Sequence, residues 1–346
     1  MSHILDEIRQ QPEALERTLA HQVRHIAKFR AFLEKRKPRL VVIAARGTSD
    51  NAAQFGRYLI EITTGIPVSL AAPSVHTIYG ARVDYKDALV VAISQSGEST
   101  DISVMLEHAR KAGAFTVGIT NEPKSTLAKL AEHVFLVRAG REKSVAATKT
   151  YTGQLISLYL LAHALGAKIR LDDLRAIPDL AQLALTLDPA VRELAGRYRY
   201  MRHAAVVARG LNYANAFEFA LKMMETSYVV AERFSSADFL HGPIAMVDRE
   251  LPIFLFGPAG PVWASLRETL EKLRQVKAET VIITDRRNQE AAQFASAVIR
   301  VPARLRELYT PIPYIIPAQL FAAALAATKG LDADQPRGLL KVTRNL

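Results

Sequence analysis

Glu218, Lys222 and Glu225 stand in the segment AFEFALKMMETS. At about 100° per residue, the three fall within about 60° of one another on one helix face. Phe217, Ala220, Met223 and Met224 surround the remainder. Two carboxylates flanking an ammonium suit proton transfer, one carboxylate acting as base and acid while its neighbours set its charge and position. The same spacing also makes ordinary surface ion pairs worth ~0.3–0.5 kcal/mol. A solvated helix would not carry apolar residues over most of its other faces, so the stripe reads as facing a pocket. His241 follows in FLHGP, where glycine and proline force a turn able to present the imidazole to a cleft. It is one of nine histidines, singled out by its closeness to the charged helix.

Three further segments have the chemistry of anion sites. Arg46-Gly47-Thr48-Ser49-Asp50 follows one apolar run, and Ser94-Gln95-Ser96-Gly97-Glu98-Ser99-Thr100 follows another. Val145-Ala146-Ala147-Thr148-Lys149 opens a helical stretch. Free backbone N–H groups and the helix dipole favour an anion where a strand gives way to a helix. Hydroxyls bond phosphate oxygens without the cost of burying lysine. A helix cap needs one such side chain, whereas the loop from Ser94 to Thr100 supplies several, so capping alone explains it poorly. Neither GxxxxGK[ST] nor GxGxxG occurs, which argues against nucleoside triphosphates and dinucleotides and in favour of a smaller phosphate ester.

The elements that must position these residues alternate regularly. An amphipathic helix is expected over Pro12 to Lys37. Strands follow at Arg39 to Ala45, near Pro67, and at Ala88 to Ile93, Thr116 to Ile119 and His133 to Val137, with helices over Asn51 to Thr63 and Ala146 to Leu165. Near-continuous apolar strands between helices imply a parallel sheet covered on both faces. The pattern then restarts, since Ala204 to Gly210 (AAVVARG) echoes Val41 to Gly47 (VVIAARG). Two copies of one fold are implied. In the second, strands are expected at Pro252 to Phe256, Thr280 to Thr284 and Val298 to Val301, before a helix from Pro317 to Lys329. The charged, proline-punctuated stretch from Lys168 to Arg199 reads as the connection.

Composition narrows the function classes. The 346 residues are 49% hydrophobic, enough for two ordinary cores. A formal charge of +11 favours an anionic ligand. The densest basic run, Lys35 to Arg39, surrounds a proline and lacks interleaved aromatics, so it reads as a solvated helix end, and no nucleic-acid motif is present. The absence of cysteine excludes disulfides, thiolate metal sites and a cysteine nucleophile. The opening MSHILDEIRQQPEALE is no secretory signal, and Leu155 to Ala167 is too short to span a bilayer, so a cytoplasmic protein without membrane partners is expected.

Taken in order, ARGTSD, SQSGEST, VAATKT, AFEFALKMMETS, SSADFLHGP and QPRGLLKVT resemble the SIS (sugar isomerase) family over nearly the whole chain. Within it, the chain is similar to the isomerase half of glucosamine-6-phosphate synthases and closer still to the stand-alone glucosamine-6-phosphate deaminases. The synthases draw ammonia from glutamine through an N-terminal cysteine, which this sequence lacks. Ala147 replaces a serine usual in synthases, and Pro73-Ser74-Val75 with Tyr79-Gly80 resembles the deaminase branch.

The resemblance implies two tandem doubly wound parallel-sheet domains of flavodoxin-like, three-layer α/β build. Expected boundaries are a helical segment at 1–37, a phosphate-binding domain at 38–170, a linker at 171–199, a domain with the catalytic helix at 200–332 and an active-site tail at 333–346. It further implies that Ser94, Gln95, Ser96 and Ser99 hold phosphate beside Thr48 and Ser49, with Gly47, Gly97, Val145 and Ala147 lining the substrate. Glu225 would move a proton between C2 and C1, supported by Glu218 and Lys222, after His241 has helped open the sugar ring. In relatives the ring-opening histidine comes from the partner subunit of a homodimer, and Lys341 aligns with a lysine that can form a Schiff base with the ketose. Neither metal nor organic cofactor is expected. The reaction implied is glucosamine 6-phosphate and water to fructose 6-phosphate and ammonia. Alternatives are an aldose–ketose isomerase or deglycase on another amino or glycated sugar phosphate, and a non-enzymatic sugar-phosphate sensor, which would give Glu225 no role.

Overall fold

The protein is described by a computed structural model covering residues 2–339 and Lys341. Its chain divides into two compact units. One, here the N-terminal unit, comprises residues 10–142, 149–176 and Lys341; the C-terminal unit comprises 2–9, 143–148 and 177–339. Helix α1 (His3–Arg9) belongs to the C-terminal unit, where Asp334 accepts the N–H groups of His3 and Ile4, each at 2.7 Å, and so caps it.

Helix α2 (Gln11–Arg36) starts the N-terminal unit. There follow β1 (Leu40–Ala44), α3 (Thr48–Thr64), β2 (Val68–Leu70), α4 (Ser74–Thr77), β3 (Ala88–Ile93), α5 (Thr100–Lys111), β4 (Phe115–Thr120), α6 (Thr126–Leu130), β5 (His133–Leu136) and α7 (Lys149–Ala164). The sheet is wholly parallel, in the order β2-β1-β3-β4-β5. This order reverses direction between β1 and β3, which opens a crevice at their carboxyl ends. Val42, Ala44, Val90 and Ala92 pack against Ile102, Met105, Leu106 and Ala109 of α5. On the opposite side, Gly56 of α3 fits closely against Ile43 and Leu158 of α7. Covering helices on both faces explain why β3 and β4 are apolar without alternation.

Three helices, α8 (Leu171–Arg175), α9 (Ile177–Leu185) and α10 (Asp188–Arg197), occupy the stretch expected to be a linker. Their inward residues Leu174, Ala181, Ala184, Val191 and Ala195 are buried, so this segment contributes to packing. The C-terminal unit continues with β6 (His203–Ala208), α11 (Tyr213–Ser227), β7 (Val230–Ser235), α12 (Ser236–Leu240), β8 (Ile253–Phe256), α13 (Trp263–Gln275), β9 (Thr280–Asp285), β10 (Ala297–Val301) and α14 (Pro311–Thr328). Its parallel order, β10-β9-β8-β6-β7, repeats the first sheet strand for strand. Helix α14 begins at Pro311, earlier than the sequence suggested, because proline is well suited to a first helical turn. It is apolar and long enough to cross a bilayer, yet 89% of that stretch is buried within the protein.

Candidate functional site

In the N-terminal unit, the two loops expected to hold an anion lie at the carboxyl ends of β1 and β3. Arg46 Nε reaches Asp101 Oδ2 at 2.7 Å and ties the first loop to the opening turn of α5. In the second loop, Ser94 Oγ lies 3.1 Å from Ser99 Oγ and accepts the Gly97 N–H at 3.1 Å. Ser96 Oγ accepts the Glu98 N–H at 3.3 Å, while Glu98 turns outward to the N–H and hydroxyl of Thr126. Ser99 caps α5 in an extended conformation, leaving the helix dipole directed at the loop. Gly97 has φ of +66°, and a Cβ there would stand 2.1 Å from Ser125 Oγ. Only glycine fits that corner. Gly47 likewise adopts a positive φ, at the start of α3. Ser49 is buried and its hydroxyl accepts Gln154 Nε2 at 2.9 Å, whereas Thr48 remains half-exposed at the mouth.

Beside the second loop opens a cavity of about 870 Å³ that contains Gln95, Ser96 and Lys341. Arg17, His21, Arg24, Arg138 and Arg141 make it strongly basic. These arginines were missed in the sequence because they are scattered along it; only the +11 charge hinted at them. Glu142, fully buried, accepts Thr150 N–H and hydroxyl at 3.2 and 2.7 Å and faces Lys341 Nζ at 3.2 Å. A buried carboxylate at the start of α7 therefore fixes both the helix N-terminus and the lysine. His21 lies 2.9 Å from Arg138 Nη2, and burial together with the arginine's charge holds its pKa below the ordinary histidine value.

The C-terminal unit carries the other candidate group. Lys222 Nζ sits 2.5 Å from Glu225 Oε2 and 3.4 Å from Glu218 Oε1. The lysine and Glu218 are buried, while the Glu225 side chain retains 19% exposure. Such a charge cluster survives burial only because each member is paired. Its back is fixed by Phe219, which meets Phe254 and Phe321 edge-on at 5.2 and 5.8 Å. Helix α11 ends on Tyr228 in a left-handed conformation, and Arg337 of the tail stacks over that ring at 4.1 Å.

His241 ends α12 and is exposed; Ser235 caps that helix by accepting the Asp238 N–H at 3.1 Å. Val145 and Ala147 group with the C-terminal unit, where the Val145 N–H reaches Asp334 O at 3.5 Å, and Thr148 and Lys149 straddle the division. Thus the structure gathers Gln95, Ser96 and Lys341 in one cavity, and Glu218, Lys222 and Glu225 in one cluster. Among the described residues, no group of three or more His, Cys, Asp or Glu is placed to hold a metal ion.

The molecule thus pairs a hydroxyl-rich loop in one doubly wound unit with a buried Glu–Lys–Glu helix face in its structural repeat. The chain belongs to the SIS domain family, whose model matches residues 33–164 and 198–329. It is 33% identical over 352 residues to glutamine–fructose-6-phosphate aminotransferase (isomerizing) of Thermus thermophilus, an alignment covering 98% of this chain and 58% of that protein. The chain therefore spans somewhat more than half the length of such relatives. Among solved structures, the C-terminal domain of glucosamine-fructose-6-phosphate aminotransferase from Francisella tularensis superposes with a TM-score of 0.86 and 28% identity. That match covers 96% of this chain and 98% of the domain. Glucosamine-6-phosphate deaminase from Thermotoga maritima shares the fold, with a TM-score of 0.77 over 99% of this chain and all of that one, at 20% identity.

Proposed function

We propose that the protein is a sugar-phosphate enzyme that converts glucosamine 6-phosphate and water to fructose 6-phosphate and ammonia. The observation that carries this reading is the buried Glu218–Lys222–Glu225 cluster, in which Glu225 alone keeps a solvent-facing edge. A sensor needs to bind a sugar phosphate but has no use for an acid–base group held in this way. Ser94, Gln95, Ser96 and Ser99 hold the phosphate through hydroxyl, amide and α5 N-terminal donors, with Thr48 and Ser49 beside them.

His241 transfers the proton that opens the ring. Glu225 then removes the C2 proton of the open-chain amino aldose and delivers a proton to C1, while one amine proton passes to O1. Lys222 holds the carboxylate, and Glu218 balances the buried ammonium. The result is a C2 imine bearing a C1 hydroxyl; water adds to it and ammonia leaves, which balances the overall reaction. Lys341, set against Glu142, is the group available to bond the open-chain sugar near its reacting end. Because His241 is exposed in the single chain, it serves the neighbouring protomer of a homodimer. A cytoplasmic location fits phosphorylated substrates.

Incubation with glucosamine 6-phosphate should yield fructose 6-phosphate and ammonia in equal amounts. Interconversion of an aldose and ketose phosphate without ammonia release from any hexosamine phosphate would instead establish the isomerase alternative.

A further inference from the structure

We propose that the C-terminal unit carries a second anion pocket, at the carboxyl ends of β9 and β10, that takes the phosphate group of a small molecule. A cavity of about 560 Å³ there is lined by Arg286, Gln289, Arg300, Pro302, Ala303 and Arg304. Three guanidinium groups face it and no carboxylate does. Arg300 Nη1 donates to the carbonyls of Asp285 and Asn288 at 3.0 and 2.9 Å, so backbone oxygens orient its charge without neutralising it. The neighbouring Asp285 is buried and committed, accepting Tyr314 OH at 2.6 Å and the Arg287 N–H at 2.6 Å. Among the described residues, no ion pair joins Arg286, Arg300 or Arg304 to a carboxylate. The Arg286 N–H donates to Ala303 O at 2.9 Å, which pins the two arginine-bearing loops together.

The fold repeat sharpens the inference. The equivalent strand ends of the N-terminal unit, after β4 and β5, also open on a basic cavity, but one that includes Glu122, Glu142 and the hydroxyl loop. The C-terminal counterpart of that loop is Gly257-Pro258-Ala259-Gly260-Pro261, which has no hydroxyl to offer. An anion here must be held by guanidinium groups, whose planar N–H pairs match phosphate oxygens. A concave pocket whose lining holds no aromatic favours a small phosphate over single-stranded nucleic acid, which binds largely by base stacking.

Calorimetric titration with inorganic phosphate, and separately with fructose 6-phosphate, tests the pocket independently of catalysis. Two classes of site per chain are expected. Arg286→Gln/Arg304→Gln should weaken one class by at least about tenfold and retain the other. Both side chains are exposed, so the variant should melt like the wild type. Tighter binding of fructose 6-phosphate at this class marks a sugar phosphate as the ligand, and tighter binding of inorganic phosphate marks the free anion. Phosphate binding left unchanged in the variant, whether the wild type shows one class or two, overturns the proposal. So does binding of a single-stranded oligonucleotide with none of either phosphate.

Discussion

Helices α3 and α11 occupy the same place in the repeated topology, each following the first strand of its sheet and an Ala-Arg-Gly turn. Counted from Gly47 and Gly210, the positions of Glu218, Lys222 and Glu225 in α11 are held in α3 by Phe55, Leu59 and Ile62. Phe55 and Leu59 are fully buried, as are Glu218 and Lys222. One backbone thus accommodates a hydrocarbon plug in one unit and a charge cluster in the other. The loops divide in the opposite sense: Ser94 to Thr100 is rich in hydroxyls, whereas Gly257 to Pro261 has none. Sheet topology alone therefore does not determine the chemistry; in the proposed function it rests on one helix face and one loop of a duplicated scaffold.

The contrast can be broken at its strongest point by Glu225→Gln. Loss of the acid–base group should lower kcat by about 10²–10⁴-fold while leaving KM and the melting temperature near wild type. Lys222→Met should act on both, since it removes the buried ammonium that pairs with Glu218 and Glu225; a loss of about 3–5 kcal/mol in denaturant unfolding is expected. In the other unit, Gly97→Ala drives a methyl into Ser125 and Thr120 and should cut kcat/KM by about 10–100-fold. Phe55→Leu, at the counterpart of Glu218, should cost about 1 kcal/mol of stability and leave kcat unchanged. A rate defect from Phe55→Leu comparable with that of Glu225→Gln would dissolve the proposed division of labour.

A pH dependence should distinguish the units further. Burial, with help from the charges of His25 and Lys28, lowers the His133 pKa from 6.5 to about 4. The unfolded chain takes up this proton first as pH falls. His133 therefore contributes stability that is present above pH 6.5, declines towards about pH 4 and is then exhausted, at most about 3 kcal/mol. Its ring stacks on Phe29 with centroids 4.0 Å apart, so His133→Phe should fit and flatten that part of the acid-unfolding curve.

Trans delivery of His241 is tested by mixing. His241→Asn and Glu225→Gln chains, refolded together in equal amounts, should regain about a quarter of wild-type activity if each site draws these residues from different subunits of a two-fold dimer. If one chain supplies both, no activity returns.

Much of this was legible from the residues because the signals were local. The echo of VVIAARG in AAVVARG reflects buried strands feeding a tight turn, and the structure shows two matching sheets. The charged stripe was visible because 3.6-residue periodicity places Glu218, Lys222 and Glu225 together against apolar neighbours. The edge strand β7 was not seen. Its VAERFS sequence mixes charges with apolar residues, and pairing to β6 alone makes it a strand. Nor were α8 to α10, whose prolines and charges suggested a loop although their small inward residues pack. The basic cavity escaped because Arg17 and Arg138 approach only when α2 packs on β5; Arg17 Nε then reaches Arg138 O at 3.2 Å. Short-range patterns can reveal elements and buried charged helix faces, but a pocket assembled from distant side chains requires the tertiary structure.

The central claim is that Glu225 moves the proton during deamination. Side-by-side turnover of glucosamine 6-phosphate by the wild type and Glu225→Gln, with both products quantified by NMR and an ammonia assay, tests it most directly. The wild type should release fructose 6-phosphate and ammonia in a 1:1 ratio, while the variant should bind the substrate with similar affinity and turn over at least about 10²-fold more slowly. Wild-type turnover by the variant, or no ammonia from the wild type, would contradict it.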